Sequence, residues 1–337
     1  MMGSLGGVQV YRVRKLSKND RPRGPFLHYY KLKQNAMKRI FLLACAVAMM
    51  TACEKSIESE KTAKQDTQET TLPDGTVAKT KKFTFTLKGD FTSEWKPVTR
   101  TNEYLSADGK EMTDVWVLDY MGSTLVQQLH QTNTDEDFGV PVMQLAYGSH
   151  HVYFVASRGT TPTLNVGAHS IVWERPSDTF YKDYEVNVVA TSNGNRAVTL
   201  ERVVTKLRLT FTDAIPGNAA TINITPAIWY KGLDYVTGEP CAVAESQTTT
   251  INIPSTSIGQ TGVQASMFSI STATEWTTDV TISSKTSADV VLGTATLTAV
   301  PLKANRVSDY SGPLFSAGGV MTLSLNGTWD DAYNGVW

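Results

Sequence analysis

The chain lacks the features that most directly name a chemistry. Its three cysteines are Cys45, Cys53 and Cys241. Two fall in or at the edge of an N-terminal leader and the third stands alone, which leaves no internal disulfide and no thiolate cluster for zinc. No apolar run reaches the roughly 18 residues needed to cross a bilayer as a helix, and no long amphipathic helical pattern is visible. There is no G-x-S-x-G elbow, no phosphate-binding loop and no H-E-x-x-H pair, so serine-hydrolase, nucleotide and zinc-protease chemistry have no footing in the sequence. Positive charge is scarce where a nucleic acid would need it. Residues 1–52 hold ten Lys or Arg and one acid, Asp20, of the chain's 31 and 32; the remainder keeps 21 and 31, a formal charge of −10. Such a balance opposes phosphate binding and suits a soluble surface protein.

What is abundant is threonine, 44 of 337 residues, a type whose branching at Cβ favours the pleated sheet. From Lys82 onward the polarity alternates with period two. Phe83-Thr84-Phe85-Thr86-Leu87 places Phe83, Phe85 and Leu87 on one face, the pattern of a half-buried strand. Similar runs follow at 115–120, 150–156 and 184–190, then at 203–211, 221–224, 249–253, 279–282, 290–301 and 319–329, with turn pairs such as Asp108-Gly109 and Asn193-Gly194 between them. A helical turn is expected between Asp178 and Asp183. Many short strands at this spacing predict an all-β chain of two antiparallel sandwiches, residues 81–198 and 199–337, divided near Val198.

The N-terminus reads as a targeting segment. Met37-Lys38-Arg39 supplies a start and a positive region, and Ile40 to Met50 is an unbroken apolar run of 11 residues, the length of a signal-peptide core. It ends in Met50-Thr51-Ala52-Cys53, where small residues precede a cysteine as in a bacterial lipobox, with Met50 at a position usually held by Leu. Leu42-Leu43-Ala44-Cys45 is a competing match that would leave an apolar run of only a few residues. Residues 1–36 are basic and aperiodic, read as an upstream start called in error or as a long positive region. Residues 53–80 are polar, and read as a flexible tether.

Several segments, in this order, resemble the fimbrillin family of Bacteroidales, the lipoprotein-derived subunits of type V pili. They are the lipobox and tether; Phe83–Leu87 with Val98-Thr99-Arg100 and Met112-Thr113-Asp114-Val115-Trp116-Val117; Gly148 to Ala156; Leu200 to Leu209; and Val300 to Val307 with Tyr310-Ser311-Gly312. The resemblance covers residues 37–337. It implies two transthyretin-like β-sandwich domains in tandem, lipidation at Cys53, and a location at the outer membrane, the cell surface and the fimbrium. It further implies cleavage by a trypsin-like protease that removes the first strand, so that a strand from another subunit fills the vacated groove. Arg100 is the only arginine between Cys53 and Arg158, and it lies in a polar stretch rich in turn formers that should be open to proteolysis. The family's processing arginine likewise lies between the first strand and the next. Lys79, Lys81 and Lys82 are alternative sites, although cutting there would leave the Phe83 strand in place. The donor is expected in the Val320–Leu325 region or in the tail ending at Trp337.

Other candidate sites read as structural. The adjacent His150 and His151 point to opposite faces of a strand and cannot share a metal unaided. Asn133 to Gly139 has the alternating oxygens of a calcium loop, but its Gly comes one place late and Gln144 stands where the bidentate Glu belongs. The tryptophans, Trp95, Trp116, Trp173, Trp229, Trp276, Trp329 and Trp337, are scattered as core or edge residues are. No catalytic residue, metal ligand or cofactor is assigned. The expected partners are other fimbrial subunits, outer-membrane lipid through Cys53, and host or bacterial surface ligands in adhesion, with no nucleic acid. The alternatives are a fimbrial anchor that does not polymerise and a surface glycan-binding lipoprotein. Cys53→Ser should abolish acyl labelling and leave an uncut precursor, read by metabolic labelling with a clickable palmitate; normal labelling would point to Cys45.

Overall fold

Strands dominate because branched and aromatic residues alternate with polar ones over most of the chain. The computed structural model describes residues 67–89, 112–243, 248–316 and 321–326. In chain order the strands are β1 (Thr67–Thr71), β2 (Val77–Gly89), β3 (Asp114–Met121), β4 (Thr124–Thr132), β5 (Val142–Ala146), β6 (Gly148–Ser157), β7 (Thr163–Asn165), β8 (Ser170–Val172), β9 (Thr179–Val188) and β10 (Asn195–Arg202). They continue as β11 (Val204–Phe211), β12 (Thr221–Pro226), β13 (Tyr230–Asp234), β14 (Pro240–Val243), β15 (Thr249–Asn252), β16 (Val263–Ile270), β17 (Trp276–Lys285), β18 (Val291–Leu302), β19 (Val307–Gly312) and β20 (Thr322–Asn326). Among the described residues the helical structure is two 3-10 turns, Val166–Ala168 and Ser255–Ser257.

The first sandwich has one layer around β2 and a second ordered β9-β6-β3-β4. β10 serves both: Asn195 to Leu200 pair in parallel with β2, and Glu201 and Arg202 pair with β9. Between the layers lie Phe83, Phe85 and Leu87 of β2, Met143 and Leu145 of β5, Val198 and Leu200 of β10, and the facing Val115, Val117, Val152, Phe154 and Phe180. The second sandwich faces β16-β11-β19-β20 against β15-β12-β17-β18. Leu207, Leu209 and Phe211 of β11 pack there against Ile222, Ile224, Val280 and Ile282.

Three sequence expectations need correction. Val198 lies in the middle of β10, with its side chain in the first core. The Asn193-Gly194-Asn195 turn therefore leads into the closing strand of the first sandwich, which runs to Arg202. Residues 67–80 are not tether: β1 pairs antiparallel with β2 from Thr67↔Lys81 to Thr71↔Val77. The Pro73-Asp74-Gly75 turn between them is held by Leu72 N–H to Thr76 O at 2.8 Å and by the Asp74 carboxylate on Thr76 N–H at 2.9 Å. Gly75 sits at φ 85°, which glycine adopts without strain. Finally, the turn expected at 178–183 is strand, because Thr179-Phe180-Tyr181 pairs with β6 and β10.

A layer not anticipated from sequence joins the sandwiches. It is ordered β14-β13-β8-β7 and takes β7 and β8 from within the first sandwich's chain and β13 and β14 from the second's. It covers a shared core of Leu118, Tyr120, Tyr153, Val155, Ile171, Trp173, Leu233, Tyr235, Phe268 and Ile270. Beside this core, Arg202 donates Nε to Asp178 Oδ1 at 2.7 Å and Nη1 to Asn305 Oδ1 at 2.9 Å, tying the end of β10 to the second sandwich. The face of β11 opposite Leu207 and Leu209 is not open to water either. Lys206 is buried with Nζ 5.6 Å from the Phe268 ring centre, and Arg208 Nη2 meets Asp309 Oδ2 at 2.6 Å.

Leu209→Ala should cost about 2–5 kcal/mol, as truncation of a fully buried leucine does, measured by urea unfolding. A change within about 0.5 kcal/mol, the surface range, would show that the site is not part of the core.

Candidate functional site: the slot of the first core strand

The Phe83 strand occupies an interior position. Thr80 and Lys81 pair with both β1 and β5, and Thr84 pairs with both β5 and β10. β5 therefore lies along one edge of β2, while β1 and β10 lie end to end along the other. The β5 edge extends past its pairing, with Phe85 N–H on Pro141 O at 3.0 Å and Leu87 N–H on Gly139 O at 3.3 Å. At the entrance to β10, Thr84 donates N–H to Gly194 O at 2.7 Å. A Cβ at Gly194 would collide with the Lys82 carbonyl, so the close approach of the two backbones requires glycine there.

Phe83, Phe85 and Leu87 are all buried, as the alternation predicts. Phe85 stacks edge-on against Phe154 at 5.0 Å and Tyr184 at 6.0 Å, and the Arg196 guanidinium lies 5.5 Å from the Phe83 ring centre. Burying each such side chain contributes about 1.5–3 kcal/mol. Emptying the slot would also strip the hydrogen-bond partners from β5 and β10. What the arrangement can do chemically is accept a strand: an apolar trough with an unsatisfied backbone ladder on each wall would favour any segment that alternates as β2 does.

A polar tie crosses the same core beneath β5. His150 is buried against Asp119, with Nδ1 to Oδ1 at 2.7 Å, and its Nε2 lies 2.8 Å from the carbonyl of Ala146. Both ring nitrogens face acceptors, so both bonds form only when the ring is protonated. Burial opposes the charge on His150, but the hydrogen bond and charge of Asp119 and the Ala146 carbonyl outweigh it and raise the pKa. Burial also raises Asp119, against the pull of His150. The direction common to both is that the pair holds its proton to higher pH than the free groups would.

Cys53 and Arg100 lie outside the described residues. The Val320–Leu325 region meets β20, which pairs with β19 from Ser311↔Thr322 to Val307↔Asn326, while Met321 packs in the second core. That segment occupies its own sheet. The calcium-like loop is held by its own groups: Thr132 N–H on Asp135 Oδ2 at 2.6 Å, Gln131 Nε2 on Asp137 O at 2.9 Å, and Phe138 buried. Trp173 and Trp229 are buried and Trp116 stacks on His130 at 4.0 Å; Trp95, Trp329 and Trp337 fall outside the described residues. Trp276 is half-buried, edge-on to Tyr230 at 5.2 Å and donating Nε1 to Ser271 Oγ at 2.9 Å, so the four described tryptophans form no exposed row for a sugar. Sequence reading missed β1, for which Asp74-Gly75 between threonine-rich runs was the available signal, and the Asp119–His150 tie, for which there was none.

No family profile and no curated protein matches the chain. Solved structures of similar architecture do. One, named a "putative adhesin" of Bacteroides ovatus, is 14% identical, covers 74% of this chain and 95% of that one, and has a TM-score of 0.45. The tip fimbrial protein Mfa3 from Porphyromonas gingivalis is 12% identical over 64% and 93% with a TM-score of 0.37. A fimbrial assembly protein from Parabacteroides distasonis is 9% identical over 73% and 99% with a TM-score of 0.39. Scores below 0.5 at these identities mark loosely similar architecture and assign neither activity nor partner.

The buried pair gives the first sandwich a pH dependence of definite sign. Raised folded-state pKa values mean stability fully present below the unfolded values and lost as pH rises through the folded ones. The urea midpoint should therefore fall as pH rises above about 6.5, the unfolded histidine value, more steeply in the wild type than in His150→Gln. Equal slopes would show that the pair contributes nothing.

Proposed function

We propose that the chain is a structural or tip subunit of a cell-surface fimbria that acts in adhesion. In this reading it is exported as a lipoprotein through Cys53, cut after Arg100, and assembled when a neighbouring subunit's strand replaces β2. The observation that carries the reading is the position of β2, an N-terminal strand hydrogen-bonded on both edges whose three inward side chains fill the core. Departure of residues 53–100 would take β1 and β2 together, since among the described strands β1 pairs only with β2, and would leave β5 and β10 facing each other across an apolar trough. Cutting at Lys79, Lys81 or Lys82 would break inside β2 and leave Phe83, Phe85 and Leu87 seated. The partners are then other subunits, through the trough, and outer-membrane lipid before cleavage.

A surface glycan binder would need a platform that the buried Trp173 and Trp229 do not supply. An anchor that retains its hairpin is separated from a polymerising subunit by the N-terminus of the mature protein. Arg100→Ala should leave a full-length, lipidated monomer, whereas the wild type should begin at Thr101 and form detergent-resistant polymers, read by mass spectrometry and by electrophoresis without boiling. Polymers of the variant, or a wild-type surface protein beginning at Cys53, would overturn donor-strand assembly and favour the anchor.

A further inference from the structure

The two adjacent histidines part company in the fold, and the outward one meets carboxylates that no sequence spacing links to it. His151 on β6 stands directly across from Glu185 on β9, and Tyr153 stands across from Asp183. Side chains two apart share a face and cross-strand neighbours lie about 4.5–5.5 Å apart at Cβ, so His151, Asp183 and Glu185 converge on one corner of the outer face. The His151 Nδ1 lies 3.0 and 3.1 Å from the two Asp183 oxygens. One donor atom from each of the three residues falls within 4.8 Å of the others.

We propose that His151, Asp183 and Glu185 form a surface site for a divalent transition cation, zinc by preference. Donors bound to one zinc at about 2.0–2.2 Å stand roughly 3–3.6 Å apart, close to the spacing already present between His151 and Asp183. The set is held by backbone rather than by a loop: at this level β6 is hydrogen-bonded on both edges, to β3 through Tyr120↔His151 and to β9 through His151↔Glu185. Ligands are therefore positioned before the ion arrives.

Among the described residues no Lys or Arg forms a salt bridge with Asp183 or Glu185, and the side chain that meets the Asp183 carboxylate is the His151 ring. An imidazole in the set selects a borderline metal over calcium, which takes oxygen donors almost alone. With the side chains of His151 and Asp183 40% and 32% exposed, the ion would keep open positions for water or for a donor from another molecule.

The test is isothermal titration of the tag-free, chelator-treated full chain with zinc chloride. One saturable zinc per chain is expected, weakened at least tenfold by His151→Ala and also by Glu185→Gln, and unchanged by His130→Ala, which removes a different histidine–carboxylate contact. Near-ultraviolet circular dichroism of each variant checks that the fold is retained. No saturable zinc binding, equal affinity in His151→Ala, or calcium binding as tight as zinc and indifferent to His151 would overturn the site.

Discussion

The fold depends on an N-terminal strand seated inside a layer rather than at its edge. β2 must find β5 and β10, pairing Thr84 with Asn195 far along the chain, before the first core closes. Loop-closure entropy for such a pairing rises only slowly with length, but it must be met before the contacts repay it. Topology adds a second property. Because β2 is preceded among the described strands only by β1, a cut between β2 and β3 would let it leave without drawing another strand through the sheet. β10, the strand beside it, cannot, since Arg202 is followed after one residue by β11 of the second sandwich.

The junction turns two sandwiches into one mechanical body. β10 passes almost directly into β11, the β8–β13 pairing stitches segments from both sandwiches into a single sheet, and Arg202 reaches Asp178 and Asn305 on either side. Breaking a buried pair of this kind by removing one partner costs about 3–5 kcal/mol, because the remaining charge is stranded. A shared core of aromatic residues, with Tyr120 and Tyr235 hydroxyls 2.8 Å apart, continues the same contact. If the chain is a filament subunit, this would place stiffness between the domains and leave exchange to β2.

How much of this was legible follows from which interactions are local. The alternation Phe83–Leu87 and the Leu207–Leu209 face were readable because period two is written into consecutive residues. β1 was not, since Thr67-Gln68-Glu69-Thr70-Thr71 carries no apolar face and owes its conformation to pairing with β2. The layer through β7, β8, β13 and β14 is built of strands of three to five residues, too short for a period to show. The boundary at Val198 failed because a polar turn marks a chain reversal as readily as a domain end. The histidines show the same limit: alternation placed them on opposite faces, but Asp119, Asp183 and Glu185 became their partners only through register.

Both sandwiches close by the same device, an early strand running parallel to a late one: β2 beside β10, and β11 beside β19. Under the proposed cut after Arg100, only one of the two slots would be vacated. β11 is fixed by the chain entering from β10, and its departure would dismantle the junction and the second sandwich's core. After the proposed cut at Arg100, β2 would be held to the rest of the described fold by its ladders and side chains alone. If strand exchange is how the subunits join, each chain therefore offers a single acceptor slot, and one donor segment per chain can fill one slot in a neighbour. One acceptor matched to one donor permits a linear polymer and forbids branching, because a second neighbour would find no trough to enter. The asymmetry between two otherwise alike sandwiches is thus what would make such an assembly a fibre.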